Sequence, residues 1–146
     1  MSEEDWEDLP QPVVALLREV AVLLDRLVRE GEPEAIDLRA LPVMTPEDLE
    51  SFRDALGTGE VHATVTALGE TTVRETAFPA VWWVTYYGAD GDIVAERIEV
   101  ARVPDILVTQ EADMGAGLRA LVEALPEPRE GGPAAPEGPS IRWVED

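Results

Sequence analysis

Two stretches in the first part of the chain repeat their apolar residues with the period of a helix. In "PVVALLREVAVLLDRLVREG" apolar residues recur at i, i+3, i+4 and i+7, which predicts an amphipathic helix over about 12–30, capped by Gly31. "TPEDLESFRDALG" predicts a second helix over about 45–56, with Thr45 as N-cap and Pro46 in the first turn. The connector between them should tuck three apolar residues inward: Ile36, Leu38 and Leu41.

After Gly57 the apolar period changes from 3.6 to 2, which is typical of half-buried strands. We predict strands over about 60–68, 71–77, 80–87 and 92–100, with a hairpin turn at "GADG", and a last helix over about 113–125. Consecutive strands between flanking helices favour an α+β fold. The expected architecture has two layers: an antiparallel four-stranded meander sheet with helices packed on one face.

The composition changes at both ends of the chain. Residues 1–11 read as a flexible acidic arm and 126–146 as a flexible Pro/Gly/Ala-rich tail, which leaves a single α+β domain over 12–125. The tail ends in "IRWVED", where Trp143 is either a tether to a partner or an incidental apolar residue.

Alternation along the strands assigns two adjacent tryptophans to opposite faces of the predicted sheet. We expect one face to turn toward the helices: Trp82, Val84, Tyr86, Ile98 and Val100. The other face would be polar with exposed aromatic rings: His62, Thr64, Thr66, Arg74, Trp83, Thr85, Tyr87, Arg97 and Glu99. Exposed aromatics beside arginine are typical of binding hot spots. The alternative is that Trp83 and Tyr87 are covered by a loop or tail, or stiffen the sheet by cross-strand packing.

Charge narrows the choice of partners. The chain has 31 Asp and Glu against 11 basic residues, all of them arginine, for a net charge of -20. Nucleic acid and anionic membranes should repel it, and a basic protein should be attracted. The charge could equally serve solubility alone. No apolar run is long enough to span a membrane, and the acidic N-terminus does not resemble a signal peptide.

The sequence provides no catalytic set. There is no cysteine for a nucleophile, a zinc site or an iron–sulfur cluster, and neither nucleotide-binding glycine motifs nor a nucleophile elbow occur. The single histidine, His62, lies among threonines and reads as a polar residue of the sheet face. We therefore expect no enzymatic activity, no metal site and no cofactor.

Several motifs in order resemble a known family. "AIDLRALP", "LGTGEV", "RETAFPAVWWV" and "IEVARVPDIL", over roughly 36–125, resemble the C-terminal domain of HupH/HyaF-type hydrogenase expression/formation proteins. Family members commonly have glycine where this chain has Ala80, and longer members carry more than this one domain.

The resemblance implies a cytoplasmic, non-catalytic accessory protein for maturation of [NiFe] hydrogenase. Such a protein would act as a chaperone for the immature, iron–sulfur-bearing small subunit, or bind other maturation proteins. The expected partner-binding residues are His62, Arg74, Trp83, Tyr87, Arg97 and Glu99. Four more would support the bend that presents them: Glu75, Phe78, Pro79 and Trp82. The alternative is a structural or scaffold subunit retained in the mature hydrogenase. Exposed sheet edges would also permit a homodimer.

Overall fold

The structure, a computed structural model, describes residues 3–41, 44–67 and 69–128. The described residues divide into two compact units, one up to residue 105 and one from residue 106 onward. Most of the predicted tail, including Trp143, lies outside the described residues. The first unit holds the sheet and two α-helices, and a short 3-10 helix, Glu3–Asp8, precedes them.

Helix α1 (Gln11–Glu30) forms because its apolar positions line one side. Val13, Leu16, Val20 and Leu23 are its buried residues. The helix ends at Gly31, which adopts a left-handed conformation with φ of 74° and donates its N–H to the carbonyl oxygen of Leu27 at 2.9 Å. Glycine has no Cβ to oppose that conformation, so it is the favoured residue at such an end.

Helix α2 (Pro46–Leu56) begins at a capping box. The Thr45 hydroxyl accepts from the Asp48 N–H at 3.0 Å, and the Asp48 carboxylate accepts from the Thr45 N–H at 3.2 Å. The two hydrogen bonds satisfy donors that a helix start otherwise leaves unpaired. Phe52, Ala55 and Leu56 are its buried residues.

The first unit contains a five-stranded antiparallel sheet. Its strands are β1 (Glu34–Asp37), β2 (His62–Thr66), β3 (Glu70–Glu75), β4 (Val81–Tyr87) and β5 (Ile93–Val100), in the order β1-β5-β4-β3-β2. The α+β class is confirmed, but the prediction of four strands was wrong. The additional strand is β1, in the segment expected to be a connector. Four residues with one buried position, Ile36, are too short for alternation to reveal a strand.

The main core lies between the sheet and helices α1 and α2. Val81 and Trp83 of β4, Ile98 and Val100 of β5, and Ile36 of β1 pack there against the buried residues of both helices. Leu38, which follows β1, belongs to the same cluster and is 4% exposed. One continuous cluster therefore joins both helices to the three strands β1, β5 and β4.

The predicted facing of the two tryptophans was wrong. Trp83 pairs with Ile98 across β4 and β5, so these two side chains share the face that meets the helices. Trp82 pairs with Glu99 and lies on the opposite face with Val84 and Tyr86. All residues from Val81 to Thr85 are buried, so both faces of β4 look alike in sequence. The register between β4 and β5 then decides which face of β4 meets the helices. A bulge between Tyr86 and Tyr87 shifts this register.

The second unit contains helix α3 (Glu111–Ala124). Glu111 and Asp113 occupy its first turn, where carboxylates favour the positive end of the helix dipole. The N–H of Leu125 closes the last turn on the carbonyl oxygen of Leu121 at 3.2 Å. None of the helices in the described part of the chain is long and apolar enough to cross a membrane.

Candidate functional site

Three of the expected partner-binding residues form one row across the sheet. His62 pairs with Arg74, and Arg74 pairs with Trp83, in neighbouring antiparallel strands. The three side chains therefore lie on the same face, as expected, but this is the face that carries the helices. Exposure increases along the row from the covered centre to the edge strand: Trp83 is 4% exposed, Arg74 is half-buried and His62 is exposed.

The buried end of the row is fixed by helix α2. The rings of Trp83 and Phe52 lie 5.8 Å apart between centroids, and the guanidinium of Arg53 lies 5.3 Å from the Trp83 ring centroid. The indole N–H of Trp83 donates to Oε2 of Glu96 at 2.9 Å. Packing, a cation–π contact and a hydrogen bond thus hold Trp83 in place, so this ring is not available as a surface contact.

The middle residue of the row, Arg74, lines a groove. The polar groove is defined by Thr66, Glu70, Thr72, Arg74 and Tyr87, together with the glycine-containing turn that joins β4 to β5. Its volume is about 740 Å³, within the range of roughly 300–1,000 Å³ that is typical of ligand-binding sites. Hydroxyl groups, one carboxylate and one guanidinium provide its chemistry, so it suits hydrogen bonding to an irregular polar segment.

Arg74 is the only cation among the residues that define the polar groove. Its Nε is buried and, among the atoms that the structure describes, has no hydrogen-bond partner. No ion pair within the described residues involves its guanidinium. A buried donor left unpaired costs about 1–3 kcal/mol. Arg74 therefore has one N–H donor without a partner, and its positive charge is not neutralised by an ion pair within the described residues.

Two further expected contact residues lie on the other face of the sheet. Arg97 donates to Oε1 of Glu99 at 2.6 Å and to the Tyr86 hydroxyl at 3.3 Å, and its guanidinium lies 5.5 Å from the Tyr86 ring centroid. Burial acts to lower the pKa of Arg97. The hydrogen bond to Glu99 and the neighbouring Tyr86 oxygen outweigh burial and raise this pKa above its ordinary value. Arg97 is thus a permanent cation held between two oxygens.

The residues expected to give support surround the turn before β4. Pro79 and Ala80 are the central residues of a turn closed by the Val81 N–H on the carbonyl oxygen of Phe78 at 3.1 Å. Ala80 has a φ of 75°. Proline followed by a residue with positive φ is the pattern of a type II turn, in which glycine is favoured at the second position. This agrees with the glycine that the family resemblance implies there.

Further contacts surround this turn. The Thr76 hydroxyl accepts from the Phe78 N–H at 3.1 Å, and the Phe78 ring meets Trp6 edge-on, with centroids 6.1 Å apart. The Glu75 carboxylate accepts from the Glu60 N–H at 3.0 Å, which ties the approach to β2 onto the end of β3. The Trp82 indole donates to the carbonyl oxygen of Ala101 at 2.9 Å. These contacts hold the N-terminal end of β4.

The residue list from the sequence missed Tyr86 and Thr72. Tyr86 was assigned to the core, yet its hydroxyl accepts from Arg97 on the face opposite the helices. Thr72 lines the polar groove and pairs with Thr85 across β3 and β4. Its position two residues before Arg74 on the same strand was the available signal. Within the described residues no cluster of three or more His, Asp or Glu side chains could hold a metal ion.

The geometry describes a small α+β module with a polar groove at one end of its sheet. A family model for the HupH hydrogenase expression protein, C-terminal conserved region, matches residues 12–127. The chain therefore belongs to this family, as its motifs led us to expect. A solved structure of hydrogenase expression protein HupH from Thiobacillus denitrificans is 46% identical, with a TM-score of 0.74, and the match covers 77% of this chain and 92% of that one.

Curated relatives are longer than this chain. The hydrogenase expression/formation protein HupH of Rhizobium leguminosarum bv. viciae is 33% identical over 69% of this chain and 36% of its own length. The hydrogenase expression/formation protein HoxQ of Azotobacter vinelandii is 29% identical over 85% of this chain and 47% of its own length. The chain thus spans between a third and a half of the curated relatives it matches.

Proposed function

We propose that this protein is a non-catalytic accessory factor in the maturation of [NiFe] hydrogenase. In this proposal it acts in the cytoplasm as a chaperone that binds an immature subunit, namely the iron–sulfur-bearing small subunit. Family membership and the names of the relatives, hydrogenase expression/formation proteins, support the role in maturation. The choice of client rests on what the family resemblance implies.

One observation carries the assignment of a binding role: Arg74 lines the polar groove as its only cation, and its guanidinium makes no ion pair within the described residues. A folding client exposes backbone carbonyls and carboxylates that such an arginine can bind, and Tyr87 and the threonine hydroxyls offer further hydrogen bonds beside it. The groove is open, so it can accept a segment of chain rather than enclose a small molecule. We therefore propose the polar groove as the client contact, together with His62, the strand partner of Arg74.

The net charge of -20 adds a long-range contribution to client binding. A field of that sign accelerates encounter with a basic surface and repels other acidic proteins. It would act before the hydrogen bonds of the groove form, so charge affects mainly the association rate and the groove mainly the lifetime of the complex.

Affinity isolation of the tagged protein, from its native cells with hydrogenase expressed, tests the proposal. Mass spectrometry should recover the small subunit without the large one. Recovery of a complete, active hydrogenase with a stoichiometric copy of this protein would instead indicate a structural subunit. Recovery of no hydrogenase subunit, with the tag shown to be accessible, would contradict both functions.

A further inference from the structure

A second groove lies beside the edge strand β1. Its apolar walls include Ala35, Ala101 and Val103, and three carboxylate residues complete its lining: Glu34, Glu99 and Asp105. We call it the Glu99 groove. Its volume of about 250 Å³ lies below the roughly 300–1,000 Å³ of ordinary small-molecule sites, so it has room for a single long side chain. Every ionisable residue that lines it is acidic.

Glu99 is the unusual member of this lining. Its side chain is 7% exposed, and its Oε1 accepts from Arg97 at 2.6 Å. Its Oε2 is buried and has no hydrogen-bond partner among the described residues. Buried carboxylate oxygens are nearly always paired, because leaving one unpaired costs more than an ordinary hydrogen bond contributes. The residue that carries this unpaired acceptor, Glu99, therefore lies in the lining of an acidic groove.

We propose that the Glu99 groove binds the side chain of an arginine or lysine presented by a partner protein. The apolar walls suit the aliphatic part of such a side chain, while the cationic end donates to Oε2 of Glu99. Glu34 and Asp105 add attraction for a positive charge. Two nearby cations are already engaged, Arg97 with Glu99 and Arg26 with Glu34 at 3.3 Å. The inference rests on the proposed function in one respect: the partner is the client subunit.

Other occupants fit the groove less well. An anionic ligand would face three carboxylates without a free cation in the lining. A metal ion needs several ligands converging on one point, and no such group of His, Asp or Glu exists within the described residues. A neutral apolar side chain would leave Oε2 of Glu99 unpaired. A basic side chain satisfies both the charge and the acceptor.

The first test is a titration of the full-length, nitrogen-15-labelled protein, followed by amide chemical shifts. The probes are N-acetyl-arginine amide and N-acetyl-lysine amide, with N-acetyl-citrulline amide as the uncharged control. The charged probes should shift the amides of Ala35, Glu99, Ala101 and Val103, and citrulline should not. Equal shifts with citrulline would overturn the proposal.

Two variants with the same change in charge locate the effect. Glu99→Gln should weaken probe binding by roughly tenfold, the effect of losing one hydrogen bond to a charged group. Glu19→Gln, on the exposed side of α1, should leave the affinity for the probe within about twofold. Removing one distant negative charge from a protein of this net charge changes its overall attraction for a cation little. Equal affinities for Glu99→Gln and the parent protein would overturn the proposal.

Ala35 offers a test that does not require removing Glu99. Ala35 is exposed and pairs directly with Glu99 across β1 and β5, so side chains at the two positions start within about 5.5 Å of each other. Ala35→Arg should fill the groove, raise the melting temperature above that of Ala35→Gln and abolish probe binding. The proposal would be overturned if Ala35→Arg were no more stable than Ala35→Gln and still bound the probe. This test holds even if Glu99→Gln fails to fold.

These probe measurements contain no hydrogenase. Failure of the affinity isolation would therefore contradict the proposed function and leave the probe results intact. Failure of the probe measurements would remove the basic side-chain site and leave the affinity isolation to decide the function.

Discussion

Replacing Trp83 with alanine should destabilise the fold rather than abolish a surface contact. The ring is 4% exposed, packs on Phe52 and Arg53, and donates to Glu96 at 2.9 Å. Truncating a buried tryptophan to alanine costs about 3–5 kcal/mol. The protein loses the transfer free energy of the buried ring, and the cavity left behind destabilises it further. Domains of this size have a free energy of unfolding of about 5–15 kcal/mol, so a fifth or more of the stability should be lost.

Equilibrium urea unfolding of Trp83→Ala and Phe78→Ala measures this difference. Phe78 is the matched control because it is aromatic, 39% exposed, and makes a single edge-on contact with Trp6. Phe78→Ala should cost about 1–2 kcal/mol, from partial burial and one aromatic pair. A buried structural role for Trp83 would be contradicted if Trp83→Ala lost no more stability than Phe78→Ala, or if it kept full stability while losing the client.

Three other changes probe the turn, the helix cap and the charge. Ala80→Gly should raise the free energy of unfolding by about 0.5 kcal/mol. The strain removed from an alanine in the left-handed conformation exceeds the cost of the greater conformational entropy that glycine gives the unfolded chain. Ala15→Gly, on the exposed side of α1, should lower the free energy of unfolding by about 1 kcal/mol; equal losses at both sites in urea unfolding would contradict the turn assignment. Thr45→Ala should lose about 1 kcal/mol in the same measurement through its capping box, and an unchanged midpoint would contradict the box. The rate of association with a basic client should fall as salt is added, measured by stopped-flow fluorescence, and a salt-independent rate would contradict steering.

Local sequence signals predicted the helices of the first unit well. The capping residues of α2, Thr45 and Pro46, and the terminal Gly31 of α1 act through contacts within one or two turns, so the sequence around them is sufficient. The class of the fold followed from the change of period after Gly57. The strand β1 did not, because its single buried residue, Ile36, is explained only by pairing with β5 across a long stretch of chain.

The arrangement of the candidate site depended on information that the sequence lacks. Alternation correctly grouped His62, Arg74 and Trp83 on one face of the sheet. The register between β4 and β5 decided which residues of β5 share that face. As a result Arg97 and Glu99, expected beside Trp83, lie on the opposite face. When both faces of a strand are apolar, hydrophobicity does not specify register, and the bulge and turn decide it.

The direct test of the central claim is the affinity of this protein for purified, immature hydrogenase small subunit, measured by isothermal titration calorimetry. Arg74→Gln removes the cation of the polar groove, and Arg18→Gln removes an exposed cation of α1 with the same change in net charge. We expect Arg74→Gln, shown to be folded by circular dichroism, to bind roughly tenfold more weakly than the parent protein, as for one lost hydrogen bond to a charged group. Arg18→Gln should bind as the parent protein does. Equal affinities for both variants and the parent, or no binding by the parent itself, would contradict the claim that the polar groove holds a hydrogenase subunit.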